Sequence, residues 1–296
     1  MTIGYYPGCT LKTKAKNLEE TALACLEALG LQATELPRWN CCGAVFSLAD
    51  DDLIHHVAPV RDLIRAHDEG HDKLITLCSM CYNTLARANL LMRNDEEKRK
   101  TLNLFMDEEN DYRGEIEVQH YLAFLETELG WDKVKAAVKK PLNGLRVAPY
   151  YGCTLLRPDD VAMEPPETPK MFANFLAAIG AEVVEWAEAT SCCSSYQILG
   201  NEAAALEASA TVLRGATNHK ADAIAMSCPV CEYNLGRRAE DVRAAHEGIA
   251  EIPTFYFTQL LALALGLPAE ELGLGQNEPA AAALLEGKNL VAAAPA

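Results

Sequence analysis

The chain has 296 residues, half of them apolar, with 26 basic and 42 acidic side chains and a formal net charge of −16. This length and composition predict a globular protein of two ordinary domains or one large duplicated one. The acidic balance argues against binding to nucleic acid or to an anionic membrane surface. No run of about 18 apolar residues and no export signal is present, so we expect a cytoplasmic protein without direct membrane insertion.

The first half alternates strands and helices, and its cysteines follow the strands. A strand is predicted before Cys9, a second before the pair Cys41-Cys42, and a third before Cys78. The first helix ends at Gly30, as a left-handed C-cap would require. In chain order the predicted elements are a strand over 3–6, a helix over 18–29, a strand over 33–36, a helix over 51–68, and a strand over 73–77 that leads into another helix.

The second half repeats this order. The predicted elements are a strand over 145–151, a helix over 171–179 that ends at Gly180, a strand over 182–186, a helix over 202–218, and a strand over 222–226. The rhythm predicts an α/β protein made of two tandem, duplicated β-α-β Rossmann-like halves with mainly parallel sheets. Ligand chemistry should then gather at the carboxyl ends of the strands.

Three cysteine-bearing sequence elements occur twice in the same order. They are Tyr5-Tyr6-Pro7-Gly8-Cys9 with Tyr150-Tyr151-Gly152-Cys153, Asn40-Cys41-Cys42-Gly43 with Ser191-Cys192-Cys193-Ser194, and Cys78-Ser79-Met80-Cys81 with Cys228-Pro229-Val230-Cys231. The first cysteines of these pairs are 144, 151 and 150 residues apart, so one seven-residue insertion separates the halves. Such self-similarity indicates a duplication.

The turn Pro141-Leu142-Asn143-Gly144 places the boundary between the halves. We therefore predict one cysteine-rich domain over 1–142 and a second over 143–272. The alanine-rich segment 273–296 is predicted to be a disordered tail.

Eleven cysteines can mean disulfides, metal or redox catalysis. Cys-Cys and Cys-x-x-Cys spacings favour metal or redox chemistry, and nothing indicates the oxidising compartment that disulfides need. Both Cys-x-x-Cys motifs are expected at helix N-termini, where the dipole favours the thiolate that binds metal. Five cysteines per half exceed the ligands of one zinc ion or one ordinary four-cysteine cluster.

The pattern of Cys9, then Cys41-Cys42-Gly43, then Cys78-x-x-Cys81, repeated in the second half with Ser194 in place of the glycine, resembles the CCG-domain proteins and in particular the B-type subunit of heterodisulfide reductase. The resemblance extends to about residue 265 and is supported by Tyr151-Gly152-Cys153 and by the segment 165–169. It implies two non-cubane [4Fe-4S] clusters with a disulfide cleaved or formed between them. The ligands it implies are Cys9, Cys41, Cys42, Cys78 and Cys81 for one cluster, and Cys153, Cys192, Cys193, Cys228 and Cys231 for the other.

The same resemblance implies a multisubunit oxidoreductase acting on a sulfur group. Its partners would be a small two-cubane iron–sulfur subunit and a flavin-bearing subunit, because the chain has neither a ferredoxin motif nor a Gly-x-Gly-x-x-Gly fingerprint. The substrate would be a thiol or disulfide, as a small molecule or on a carrier protein. A bacterial relative of the methanogen enzyme fits these features.

One departure from the family pattern concerns the substrate side. Ser194-Ser195-Tyr196 follows the second Cys-Cys pair, where the family usually has glycine. We expect the cluster to survive and the substrate fit to differ. Lys12 and Arg157, which follow Cys9 and Cys153, either hold an anionic thiol or are ordinary solvated cations.

The remaining candidates have simpler explanations. Cys25 corresponds to Phe175 in the second half and is predicted to be a buried hydrophobic residue. His55 and His56 are predicted to be surface residues, and His120 is predicted to be a partly buried structural histidine without a counterpart in the repeat.

Two other functions remain open from the sequence. One is an electron-transfer iron–sulfur subunit of a lactate- or glycolate-oxidising complex, since those complexes also use CCG domains. The other is a non-enzymatic protein with structural zinc at each quintet, which five ligands rather than four disfavour. Iron and zinc analysis would distinguish them.

Overall fold

The computed structural model describes residues 3–44 and 52–292, and these residues form two four-stranded parallel sheets flanked by helices. The strand orders are β2-β1-β3-β4 and β6-β5-β7-β8, so the two sheets have the same topology. The predicted α/β architecture of two duplicated halves is confirmed.

The first half holds four strands and six helices among the described residues. They are β1 (Ile3–Tyr6), α1 (Lys16–Ala28), β2 (Thr34–Glu35), α2 (Ile54–Asp68), β3 (Lys73–Thr76), α3 (Ser79–Asn94), α4 (Glu96–Phe105), β4 (Glu117–His120), α5 (Tyr121–Glu128) and α6 (Trp131–Ala137). The start predicted for α2 at residue 51 lies outside the described residues.

The second half follows the same order with a shorter helix after its third strand. Its elements are β5 (Arg146–Pro149), α7 (Met171–Ala178), β6 (Glu182–Val183), α8 (Glu202–Asn218), β7 (Ala223–Met226), α9 (Pro229–Glu232), α10 (Ala239–Ala245), β8 (Thr254–Tyr256), α11 (Phe257–Ala264) and α12 (Pro279–Gly287). One turn of π-helix over Tyr233–Arg237, called the π-turn below, joins α9 to α10.

Each sheet has a fourth strand that the sequence did not reveal. In the first sheet Thr76 pairs with His120, and in the second Met226 pairs with Tyr256. Since residue 76 corresponds to residue 226, Tyr256 is the counterpart of His120. The expectation that His120 has no counterpart is therefore wrong. Three- and four-residue strands are too short to show a period in the sequence.

The two halves exchange helix contacts across one shared core. α11 packs on α1, and α5 packs on α7. In each half, the helix that follows the fourth strand therefore packs on the first helix of the other half. The Thr21 and Thr258 hydroxyls hydrogen-bond at 2.7 Å across the first of these contacts. The ring of Tyr121 in α5 packs edge-on against Phe257 in α11, with the ring centres 5.8 Å apart. This reciprocal packing fixes the two sheet edges relative to each other.

The segment predicted as a disordered tail contains α12. Leu285 and Leu290 are buried in the shared core, and Lys288 Nζ donates to Gly144 O and Asp222 Oδ2 at 2.7 Å each. The prediction of disorder from residue 273 is wrong for this part, because apolar side chains in the alanine-rich sequence find a buried surface. Residues 293–296 lie outside the described part. The predicted 142/143 boundary falls within the connection between α6 and β5.

Candidate metal centre

The cysteines follow strands that lie side by side. Cys9 and Cys153 follow the second strand in sheet order, and Cys78 and Cys228 follow the third. Because these strands are parallel, their carboxyl ends lie at one edge, and the loops after β2 and β6 bring the Cys-Cys pairs to it. The structure thus brings the five cysteines of each half together, as predicted.

The sulfur atoms pair in the same way in both halves. The Sγ–Sγ distances are 3.6 Å for Cys9–Cys41, 3.5 Å for Cys42–Cys81, 3.7 Å for Cys153–Cys192 and 3.5 Å for Cys193–Cys231. The remaining cysteine of each half, Cys78 or Cys228, is the N-cap of the helix that follows its strand. The repeat seen in the sequence is therefore a repeat of the site.

The two quintets meet at the boundary between the halves. Cys78 and Cys228 lie close enough across this boundary for each to shift the pKa of the other thiol, and next to them Ser79 Oγ lies 2.6 Å from Ser227 Oγ. Asn83 Nδ2 donates to Thr154 O at 2.9 Å, which ties α3 to the loop after Cys153. One continuous cysteine-lined region spans both halves.

Hydrogen bonds among the sulfurs favour one thiolate over its neighbour. Bonds from Cys41 and Cys81 lower the pKa of Cys42 to about 4. The bond from Cys153, with a smaller contribution from the Arg157 charge, lowers the pKa of Cys192 to about 6. The thiolate is the form that binds metal, so each half holds a ligand poised for coordination near neutral pH.

The donor atoms of each quintet are all sulfur, which fits an iron–sulfur cluster. Within residues 3–44 and 52–292, no group of three or more His, Cys, Asp or Glu side chains converges on one ion. A Cβ placed on Gly8 would come within 2.9 Å of Cys81 Sγ, and one on Gly152 within 3.4 Å of Cys231 Sγ. The backbone therefore passes close to the sulfur atoms at both positions. Both glycines also have positive φ, a conformation in which other residues would be strained. The all-sulfur donor set matches iron–sulfur ligation.

The two predicted cations differ in their surroundings. Lys12 Nζ pairs with Glu19 Oε1 and Glu35 Oε2, both at 2.7 Å, so its charge is offset by two carboxylates. Arg157 Nη1 donates to Thr190 O at 3.2 Å, near the second Cys-Cys pair. Lys12 is thus held by two carboxylates, while Arg157 is exposed beside the second Cys-Cys pair, and a role for Arg157 in holding a thiol stays a prediction.

Ser194 and Ser195 adopt left-handed backbone, with φ of 69° and 49°. Ser194 corresponds to Gly43, whose φ is 73°. The second loop thus keeps the glycine conformation with serine side chains. Ser195 N donates to Cys193 Sγ at 3.4 Å, which places the serine loop directly on a cysteine of the site.

Two inter-half crevices flank the quintets, built from corresponding residues. The crevice beside the serine loop is called the polar crevice because its wall carries more polar surface than the other, although most of that wall is apolar; it has a volume of about 230 Å³ and is lined by Asn83, Arg87, Cys153, Cys192, Ser195 and Gln197, among others. The apolar crevice has a volume of about 430 Å³ and is lined by Ala15, Ile198, Leu199, Val230, Tyr233 and Tyr256, among others. Tyr233 corresponds to Asn83, and this exchange is one source of the difference in polarity.

The other candidates fall mainly into structural roles. Cys25 is fully buried, its Sγ lies 3.7 Å from Thr258 O, and burial raises the pKa of its thiol, as expected for a core residue. His120 is fully buried, and desolvation lowers its pKa to about 4. His56 is buried, so the surface prediction for it is wrong: it lies on the inward face of α2, beside Pro59 and Val60.

Two residues that hold the site were missed. Asp62 Oδ1 accepts from Asn40 N at 2.7 Å and supports the first Cys-Cys loop. Asn234 Nδ2 donates to Cys193 O at 2.9 Å and supports the second. Neither residue has a residue of the same type at the corresponding position of the other half, so comparing the two repeats does not reveal them. A polar residue on an otherwise apolar helix face was the available clue for Asp62.

The fold and the paired quintets define a duplicated cysteine-rich metal-binding protein. The family model of the cysteine-rich domain, CCG, matches residues 3–86 and 147–236. The B-type subunit of a ferredoxin/F420H2-dependent CoB-CoM heterodisulfide reductase from Methanosarcina acetivorans is 32% identical over 281 residues, 93% of each chain. The chain belongs to the CCG-domain family of proteins that are similar to this heterodisulfide reductase component.

Two further comparisons extend this relationship. The 8-methylmenaquinol:fumarate reductase membrane anchor subunit of Wolinella succinogenes is 32% identical over 275 residues, covering 92% of this chain and 95% of that protein. A hypothetical protein from Helicobacter pylori shares the fold with a TM-score of 0.75 at 16% identity, over 93% of this chain and 51% of that one. Among the described residues, no helix is long and apolar enough to cross a membrane.

Proposed function

We propose that this chain is the catalytic iron–sulfur subunit of a heterodisulfide-reductase-like complex, which cleaves or forms a disulfide between two [4Fe-4S] clusters of the non-cubane type. The observation that carries the proposal is the meeting of two cysteine quintets at one inter-half boundary, where Ser79 Oγ lies 2.6 Å from Ser227 Oγ beside Cys78 and Cys228. Splitting a disulfide takes two electrons and two protons and produces two thiols, and two adjacent one-electron centres match the electron count.

The ten repeat cysteines would hold the clusters, five in each half. Iron–sulfur clusters supply one-electron redox chemistry and iron sites with affinity for thiolate sulfur. The chain fixes the relative position of the quintets through the α1–α11 and α5–α7 contacts. Much of the site is shielded from bulk water, since six of the ten cysteines are buried: Cys42, Cys78, Cys81, Cys193, Cys228 and Cys231.

Electrons have to enter from partner chains, because this sequence carries no ferredoxin or flavin motif of its own. The named relatives are subunits of reductases. We propose a small two-cubane iron–sulfur subunit and a flavin-bearing subunit as partners. Electron exchange with purified ferredoxin-type proteins would support this arrangement.

The test is metal content combined with disulfide chemistry. Anaerobically purified protein should hold about eight irons per chain, the content of two four-iron clusters, and should reduce a disulfide with a viologen as one-electron donor. Mössbauer and EPR spectra would separate non-cubane from cubane clusters. One or two zinc ions without iron would support the structural-zinc alternative instead. Lactate-dependent reduction with inertness towards disulfides would support the lactate or glycolate alternative.

A second candidate is the corresponding subunit of a quinol-linked reductase, the kind of complex named for the Wolinella succinogenes relative. The apolar crevice favours this candidate, because an apolar quinone ring could lie against its apolar and tyrosine side chains. Leu199 in this crevice is 89% exposed. Menadione, a soluble naphthoquinone, is the probe. Saturable binding that Leu199→Asp abolishes would support this candidate, with the similarly exposed Leu104→Asp as the matched control.

A further inference from the structure

We propose that Ser195 Oγ hydrogen-bonds a small polar arm of the thiol or disulfide substrate in the polar crevice, and that Asn234 is the residue that positions it. This inference rests on the proposed disulfide chemistry and specifies which kind of substrate arm the second quintet receives.

The serine loop has an unfavourable backbone. Only four non-glycine residues in the described part of the chain have positive φ, and two of them are the adjacent Ser194 and Ser195. Side chains with a Cβ rarely occupy this region, whereas glycine does so without cost. The first half has Gly43 and Ala44 here, so the cluster loop itself does not require serine. Unfavourable backbone of this kind occurs where a side chain has a function.

Asn234 holds this conformation in the second half. It is 1% exposed, and its Nδ2 donates to Cys193 O and to Ser195 O, both at 2.9 Å. The π-turn over Tyr233–Arg237 sets its position, and such turns are frequent at functional sites. The corresponding Thr84 donates to Met80 O within its own helix at 2.9 Å and helps to lower the pKa of Cys42, but among the described residues it makes no bond to the backbone of the first Cys-Cys loop. The clamp is therefore specific to the serine loop.

The Ser195 hydroxyl is buried and has no hydrogen-bond partner among the described residues. Ser195 as a residue belongs to the wall of the polar crevice, which also includes Cys153 and Cys192, and a rotation about χ1 would turn its hydroxyl towards that crevice. A hydroxyl can both donate and accept, and leaving it unsatisfied in a buried site is unfavourable. A polar group of a bound substrate would satisfy it. The volume of about 230 Å³ suits a small arm, while the larger crevice on the other side is apolar.

The test uses iron-loaded protein, a viologen donor, and two probes: bis(2-hydroxyethyl) disulfide, which is polar, and dibutyl disulfide, which is apolar. Ser195→Ala should raise KM for the polar disulfide about tenfold, the effect of one hydrogen bond to a buried group, with KM for the apolar disulfide unchanged. Ser195→Asn, which tolerates left-handed backbone and keeps a polar group, should restore most of the affinity.

Thermal stability separates this role from a structural one. Ser195→Gly should raise Tm by about 2 °C or more because it relieves the backbone, yet it should lose affinity as Ser195→Ala does. Lys220→Gly, at a positive-φ position in the turn before β7, is the control: it should raise Tm and leave both KM values unchanged. Asn234→Leu should lower Tm and raise KM for the polar disulfide. EPR spectra should show intact clusters in every variant.

The outcomes are distinguishable. Wild-type protein that holds iron but reduces neither disulfide overturns the proposed function, and this inference with it. Wild-type activity with unchanged KM in Ser195→Ala overturns this inference alone, as does a fall in Tm for Ser195→Gly. Equal losses towards both disulfides would show a general defect of the loop and would also overturn it.

Discussion

His120 gives the sharpest prediction for stability. It lies at the end of β4, is fully buried, and is the N-cap of α5. Nδ1 accepts from Leu122 N at 3.2 Å, so Nε2 is the protonated nitrogen that donates to Leu77 O at 3.0 Å. Because Leu77 precedes Cys78, this histidine also supports the strand that delivers the first Cys-x-x-Cys. Protonation would give Nδ1 a hydrogen that its N–H partner cannot accept.

The magnitude follows from the pKa. Desolvation lowers the pKa of His120 from 6.5 to about 4 in the folded protein. Since the folded pKa lies below the unfolded one, the stabilisation is complete above pH 6.5 and is lost as the pH falls towards 4. At about 1.4 kcal/mol per pKa unit the loss is about 3 kcal/mol. His120→Asn keeps the N-cap acceptor but loses the bond to Leu77 O and leaves a cavity, which should cost about 2–4 kcal/mol at pH 7.5.

The assay is urea unfolding of metal-free wild-type and His120→Asn protein at intervals from pH 7.5 to 4.5. The difference in their free energies of unfolding should be largest at pH 7.5 and should shrink to near zero at pH 4.5, because only the wild type loses the histidine contribution. The exposed His67 is the control, and His67→Asn should change stability by less than about 0.5 kcal/mol at neutral pH. A difference that stays constant across the pH range would refute the reasoning.

Three further predictions concern a carboxyl, a thiol and the C-terminal helix. Desolvation raises the pKa of Asp62 from 3.8 to about 8, so its stabilisation is present below pH 3.8 and lost as the pH rises towards 8. In urea unfolding, the free energy of unfolding of Asp62→Asn should equal that of the wild type at pH 4 and exceed it at pH 8 by up to about 5 kcal/mol. A lower free energy of unfolding for the variant than for the wild type at pH 8 would contradict this. Cys25→Ala should keep full iron content by elemental analysis, whereas Cys81→Ala should lose about half of it if each quintet holds one cluster. Leu285 is 1% exposed, so Leu285→Ala should lower the free energy of unfolding by about 2–4 kcal/mol, and an unchanged value would show that α12 does not pack on the core.

Local sequence determined much of the fold. Apolar periodicity and the glycines at 30 and 180 located α1 and α7, and a helix over 202–218 was predicted with the bounds that α8 has. Strand and helix order implied parallel sheets, and parallel sheets bring the ends of successive strands to one edge. The five-cysteine repeat therefore predicted which sulfurs lie together. The correspondence of Cys25 with Phe175 also predicted a core residue correctly.

Other features depended on contacts between residues far apart in the sequence. β4 and β8 form because β3 and β7 offer a free edge, and three or four residues carry no periodicity of their own. α12 is helical because the core accepts Leu285, although its alanine-rich sequence resembles a disordered tail. His56 is buried because its side of α2 faces the core.

At the site, the sequence determined the donors and the tertiary structure decided their setting. Residue identity alone fixes ten thiols, since no other side chain supplies that chemistry, and the order of the motifs fixes which five belong together. Packing between α1 and α11 decides which cysteines of the two halves lie next to each other. Side chains from distant elements decide which crevice is the more polar and whether carboxylates neutralise Lys12. The serines after Cys193 illustrate both parts: the sequence shows that glycine is missing, and only the fold shows that serine keeps the glycine backbone and faces a crevice.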